Sequence, residues 1–213
     1  MPRFLSEKEV DDFRARLVDA ATRRFTERGV AGVTLRGLAD EVGCSRMTPY
    51  RYFQNKEDIL AAVRAAAFSR LADATEAAAS RASGPLQRLE YGGRAYLRFA
   101  ARNPDQYRLM FEISQRDEET YPELAKQLAR SRSWMTEWAE ESISAGLIEG
   151  DPKMVMQLYW AGMHGVIALE IAGKLTFGRS FDRLSKEMVR TLFRGMAPSN
   201  EGPDGDAPLG RST

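Results

Sequence analysis

The sequence has one cysteine, Cys44, and one histidine, His164, among 213 residues. A lone thiol excludes an internal disulfide, and the two residues together are too few for a Cys/His metal centre. No metal and no cofactor are therefore expected. Net charge is also scarce: 31 Lys+Arg stand against 30 Asp+Glu, leaving +1. Without a global basic field, any polyanion must be met by a local patch. The longest apolar stretch, 154–172, is interrupted by Gln157, His164 and Glu170, so no membrane span is expected. The chain lacks a nucleophile–base set and a Gly-rich phosphate loop, which argues against an enzyme. Its start, "MPRFLSEKEVDDF", is charged and has no signal-peptide core. These features point to a cytoplasmic protein. Alternating strand patterns are missing too, and the expected fold class is all-α.

What is present is a succession of helices with legible ends. Ser6 and Glu9 have capping-box spacing, and Val10, Phe13, Leu17, Ala21 and Phe25 form a helical stripe that ends at Gly29. A short helix follows Thr34, with Leu35, Leu38, Ala39 and Val42 on its inner face, and stops at Gly43. Asn55 caps a long helix to about residue 80, with Ile59, Leu60, Val63, Ala67 and Leu71 inward. Gly84-Pro85, Asn103-Pro104, Tyr121-Pro122 and Asp151-Pro152 each place proline at a first helical position. They predict helices near 85–102, 104–114, 122–145 and 152–173, with a last one near 182–196. The expected organisation is a first helical domain at 1–54, a second helical domain at 55–197 and a disordered tail at 198–213.

Residues 34–53 have the plan of a helix-turn-helix. From Gly43 to Lys56 there are three basic residues, Arg46, Arg51 and Lys56, and no acidic one. That local +3 suits the phosphate backbone of double-stranded DNA. Arg46, Met47 and Tyr50 are candidates for base edges: Arg forks onto guanine, and Met or an aromatic ring meets a thymine methyl. Thr34, Ser45, Thr48, Tyr52 and Lys56 suit phosphates, with Thr34 and Lys56 at helix N-termini. Phe53 is expected in the core and Cys44 buried in the turn. Pro49 interrupts the reading stretch "GCSRMTPYRYF". One reading starts the helix at Ser45, strained or 3₁₀-like in its first turn. The other starts it afresh at Pro49 with Thr48 as cap, because proline disfavours helical geometry in the residue before it.

Helix 152–173 is apolar nearly all round, so one face needs covering by a second molecule. A homodimer joined through helices near 152–173 and 182–196 meets that need, with Gly162 and Gly165 permitting close approach. Two-fold symmetry would set two reading elements roughly 34 Å apart, one turn of DNA. Tyr96, Phe99, Tyr107, Met110, Phe111, Trp134, Trp138, Tyr159, Trp160 and Met163 are large side chains of the kind that line ligand cavities or fill cores. His164 is either a polar handle among them or a histidine satisfied within the core.

Residues 17–63, with "AATRRFTERG", "TLRGLADEVG" and "YRYFQNKEDIL" in ungapped order, resemble the DNA-binding domain of the tetracycline-repressor (TetR) family. The resemblance implies a dimeric bacterial regulator on a palindromic operator, usually a repressor, released by a small-molecule effector in the C-terminal domain. An activator or an effector-independent regulator is the variant reading. By position it assigns Arg36, Arg46, Met47 and Tyr50 to bases, and Thr34, Thr48, Tyr52 and Lys56 to phosphates. Met47-Thr48-Pro49-Tyr50 departs from the usual small residue followed by Thr-Leu-Tyr. "YLRFAARNPDQYRLMFE" and "WAGMHGVIALEIAGKL" are similar to the C-terminal subgroup marked by Trp160, His164 and Gly165. It implies a pocket of unspecified ligand.

Overall fold

A computed structural model describes residues 6–111, 118–175 and 180–198. The described residues form eight α-helices: α1 (Glu7–Arg28), α2 (Leu35–Val42), α3 (Lys56–Ala79), α4 (Pro85–Arg102), α5 (Pro104–Phe111), α6 (Pro122–Ser144), α7 (Pro152–Ile171) and α8 (Phe181–Met196). There is no strand among them. The end of the expected 104–114 helix and the tail from 199 onward lie outside the described residues.

The caps carry the boundaries. Ser6 and Glu9 close a capping box at α1, and Asn55 Oδ1 accepts the Asp58 N–H at 2.9 Å at the start of α3. Asp151 Oδ2 does the same for Met154 at the start of α7, with Pro152 at the first helical position. Helix α2 stops because Gly43 turns left-handed at φ 74°, a conformation costly for any side chain.

The chain divides into two compact units, Met1–Trp134 and Met135–Thr213, with the division falling inside α6. In the first unit, Leu17, Ala21 and Phe25 of α1 pack with Leu35 and Leu38 of α2 and Phe53. Ile59, Leu60 and Val63 of α3 complete that core, together with Leu109 of α5. The core of the first helices therefore extends past residue 54. Arg64, buried on α3, donates from Nη2 to the Met110 carbonyl of α5 at 2.9 Å. Arg130 of α6 binds α3 through Asp73 at 2.7 Å and Glu76 from Nε at 2.8 Å.

Gly92 of α4 lies under the Trp134 indole, and a Cβ there would meet Trp134 Cε3 at 2.6 Å. Overpacking of this kind costs about 1–3 kcal/mol, so Gly92→Ala should lower the chemical-denaturation midpoint measurably. An unchanged midpoint would show that the indole moves aside freely.

In the second unit α7 packs on α8. Val155, Tyr159, Met163, Val166 and Ile167 form its buried face. Gly162 serves this intrachain contact, because a Cβ there would meet Met188 Sδ at 2.6 Å. Gly165 is exposed, and a Cβ there would have nothing within 4 Å. Met154, Leu158 and Leu169 are also exposed, at 59%, 44% and 42%. With Ala161 and Gly165 they make one lengthwise stripe at i, i+4, i+7, i+11 and i+15.

Candidate nucleic-acid interface

The second half of the helix-turn-helix is not an α-helix. Pro49–Arg51 is a single 3₁₀ turn, preceded by a turn at 45–48. Thr48 N–H donates to the Ser45 carbonyl at 2.9 Å, and Arg51 N–H to the Thr48 carbonyl at 3.1 Å. Tyr52 and Phe53 N–H both donate to the Pro49 carbonyl at 3.0 Å. The regular element thus begins at Pro49, and the Ser45 helix start is corrected. The reason lies in the bonding: Thr48 already satisfies the Ser45 carbonyl, which an α-helix would have left for the missing Pro49 N–H.

Thr48 is nevertheless helical, at φ −62° and ψ −45°, despite the bias that proline imposes on the residue before it. Its side chain makes no cap bond to the backbone. Instead the Ser45 and Thr48 hydroxyls share a 2.8 Å hydrogen bond.

Two buried residues hold this turn down. Pro49 is buried, and Phe53 is 3% exposed beneath the Arg14 guanidinium, 5.1 Å from the ring centroid. Between them the outward side chains are Arg46, Met47 at 69% exposure, Tyr50 at 41% and Arg51. Tyr52 is half-buried and packs on Phe13 with centroids 5.2 Å apart. Its ring is thus structural, whatever its hydroxyl contacts. Cys44 is half-exposed, which corrects the expectation that it is buried.

The remaining candidates flank the turn. Thr34 Oγ1 accepts the Gly37 N–H at 3.1 Å, so this residue caps α2 and stays exposed. Arg36 is exposed in the first turn of α2. Lys56 is the first residue of α3, beside the cap Asn55. Ser45 and Thr48 share their hydrogen bond at the entrance.

Two acidic residues in α2 escaped sequence reasoning. Asp40 lies 3.6 Å from Arg46, with both side chains well exposed, a pair that contributes little energy. Glu41 bonds Arg24 of α1 and reaches Arg23 at 3.1 Å, clamping α2 to α1. Separations of 17 and 18 residues gave no local signal of that clamp. The Arg24 hydrogen bond, aided by Arg23, holds the Glu41 carboxyl below its ordinary value of 4.5 against the opposing effect of burial. A depressed carboxylate stabilises the fold above its unfolded value and loses that effect as pH falls through the folded one. Acidification below about pH 4.5 should therefore weaken the α1–α2 unit. Glu41→Gln should flatten this part of the stability–pH curve; identical curves for both proteins would refute the clamp.

The ten large residues proposed for an effector cavity are distributed unevenly. Tyr96, Tyr107, Met110, Trp134, Trp138 and Met163 are buried at 2% exposure or less. The hydroxyls of Tyr96 and Tyr107 lie 3.1 Å apart in a hydrogen bond. Phe111, Trp160 and His164 are half-buried, and the Trp160 and His164 rings stack at 5.4 Å. Phe99 alone of the ten lines the open groove between α3 and α4. Trp138 and Tyr159 rings sit 5.1 Å apart, and burial pushes the Tyr159 hydroxyl well above its ordinary range. No helix among the described residues is long and apolar enough to cross a membrane.

The helix capped at Thr34, the positive-φ Gly43 and the following turn with outward Arg46, Met47 and Tyr50 have the plan of a helix-turn-helix. Comparison with known proteins makes the assignment specific. Residues 17–63 match the family described as bacterial regulatory proteins, tetR family, and residues 89–192 match the tetracyclin repressor-like C-terminal domain. The chain belongs to the TetR family of transcriptional regulators.

An uncharacterized HTH-type transcriptional regulator of Mycobacterium tuberculosis is 41% identical over 54 residues, 25% of this chain and 27% of that protein. The HTH-type transcriptional activator FasR of Mycolicibacterium smegmatis is 29% identical over 118 residues, 55% of this chain and 52% of that one. These matches span about a quarter and about half of the relatives' own lengths. A Rhodococcus sp. RHA1 protein of unknown function has a similar structure, with TM-score 0.77 and 25% identity over 93% of this chain and 100% of its own. A TetR family transcription regulator from Marinobacter aquaeolei VT8 shares the fold at TM-score 0.71 and 16% identity, covering 91% and 100%. The matched family is one of transcriptional regulators rather than enzymes.

Proposed function

We propose that the protein is a homodimeric repressor that binds a palindromic operator and is released by a small molecule held among its C-terminal helices. The observation that carries the DNA-binding part is the turn 45–52. It presents Arg46, Met47 and Tyr50 from a base fixed by Pro49 and Phe53. In this reading those three and Arg36 meet base edges, while Thr34, Ser45, Thr48, Tyr52 and Lys56 meet phosphates. The functional division falls near residues 54 and 55, with the reader before it and effector and dimer functions in 55–197.

The exposed stripe Met154, Leu158, Ala161, Gly165 and Leu169 supports the dimer. Helix α8 adds a second half-covered surface, since Ser185 is its only buried residue. Two copies related by a two-fold axis would cover both.

Support for the effector comes from buried polar atoms on α6. Trp138 Nε1 and Ser142 Oγ, one turn apart, have no hydrogen-bond partner among the described residues. Such atoms are rare in a finished core and favour a polar guest. A guest there would release DNA only through tighter binding to the form whose readers are misplaced. Leu109 of α5 reaches the reader's own core and α3 leads directly from the reader, so both are routes for that shift.

The activator reading has one observation in its favour, the name of FasR. It shares the same DNA contacts and differs in where the operator lies relative to the promoter. A bacterial regulator of either kind would work in the cytoplasm, beside the chromosome.

Salt titration tests the DNA-binding reading. Affinity for a bound duplex should fall steeply with salt, and Lys56→Ala should weaken every sequence alike. In a dimer this variant should flatten the log–log salt slope by about two, about one for each phosphate that a Lys56 neutralises. Absence of binding to any duplex, or an unchanged slope in the variant, would contradict this assignment.

A further inference from the structure

The open groove between α3 and α4 belongs neither to the reader nor to the buried aromatics. Its volume is about 340 Å³. Ala74, Ala77 and Ala78 of α3 face Ala95 and Phe99 of α4 across it, giving an apolar floor. Exposed alanines on a long helix need no reason beyond helix propensity. Propensity does not account for the cations around them.

Arg81, Arg98 and Arg102 line the same groove, and none is in an ion pair with an acidic side chain among the described residues. Arg98 makes one hydrogen bond, from Nε to the Arg94 carbonyl at 3.3 Å, which leaves its terminal nitrogens available. The acids of the adjoining α3 surface are committed elsewhere, because Asp73 and Glu76 are held by Arg130. Other arginines nearby do find carboxylates: Arg94 pairs with Glu90 and Arg108 with Asp105. Three guanidinium groups around one apolar recess, all without a counter-charge, are therefore the distinguishing feature.

We propose that the α3–α4 groove binds an amphipathic anion, with a carboxylate or phosphate head on the arginines and an apolar body along the alanines and Phe99. Guanidinium forks match both heads by paired, charge-assisted hydrogen bonds. The groove's size is at the lower end of the roughly 300–1,000 Å³ typical of small-molecule sites, which favours a compact, single-headed ligand. This site goes beyond the release of DNA, and its occupancy is defined without reference to an operator.

Calorimetric titration of the full-length protein, without DNA, tests the proposal with three probes: decanoate, decyl phosphate and decanol. At least one of the two anions should bind, at least tenfold more tightly than the alcohol, and the tighter anion identifies the preferred head. The Arg98→Gln/Arg102→Gln double variant should weaken that anion at least tenfold. Ala77→Leu should do the same by filling the floor, and because Ala77 is exposed it should leave the thermal unfolding midpoint in place. Three results would overturn the site: neither anion binds, decanol binds as well as the anions, or both variants bind as the parent does. The last would place the binding elsewhere in the molecule. Loss of operator binding in the parent protein would instead count against the regulator reading and leave the groove result standing.

Discussion

In the proposed dimer, Leu158→Glu is expected to give monomers and to abolish tight operator binding. Leu158 is 44% exposed at the middle of the α7 stripe, so the substitution should leave the folded chain intact. In a two-fold interface it places a carboxylate on each copy in an apolar seam without a partner charge. An uncompensated buried charge costs about 3–5 kcal/mol, so the dimer dissociation constant should rise by roughly a thousandfold or more. Sedimentation should show half the mass at concentrations where the parent is dimeric. Operator affinity should fall at least a hundredfold, because a single half-site remains. An unchanged mass for the variant would mean that α7 does not form the interface, whatever the DNA result.

Arg46→Ala should relax sequence preference while leaving the fold unaffected. Arg46 is exposed, and its pairing with Asp40 at 3.6 Å is too weak to hold it back from DNA. A bidentate contact to guanine is worth about 1–3 kcal/mol at each half-site. Across two half-sites the loss is about 2–6 kcal/mol, or roughly thirtyfold to ten-thousandfold in affinity for the preferred operator. Affinity for unrelated duplexes should change far less, and competition between the two reads the difference. Asp40→Asn provides the contrast: it relieves repulsion of phosphate, so it should tighten all duplexes slightly and leave preference alone. Equal losses on operator and unrelated duplex for Arg46→Ala would assign this residue to phosphates.

Much of the fold was legible because helix ends carry their own chemistry. Asp151-Pro152 and Asn55 announce α7 and α3, since a side-chain oxygen meets free N–H groups whatever the tertiary context. The turn at Pro49 was less legible. Local rules disfavour a helical residue before proline, yet Thr48 is helical because buried Pro49 and Phe53 pull the turn inward. Tertiary burial accompanies the reading that the turn adopts. The same limit applies to the large apolar side chains: Trp134 and Met110 suit a cavity wall or a core, and only packing shows that they are buried. Gly162 signals close approach, but only the packing shows that Met188 of α8 in the same chain is there. The groove arginines left a partial sign in the i, i+4 pair Arg98 and Arg102, but Arg81 joins them only when α3 packs on α4.

Selection of bound duplexes from a random DNA pool tests the central claim most directly. If the turn at 45–52 reads DNA from two symmetry-related copies, the parent protein should enrich an inverted repeat with half-sites about one helical turn apart, or a multiple of it. Recovery of no enriched sequence, or of a single motif without its inverted copy, would contradict the account.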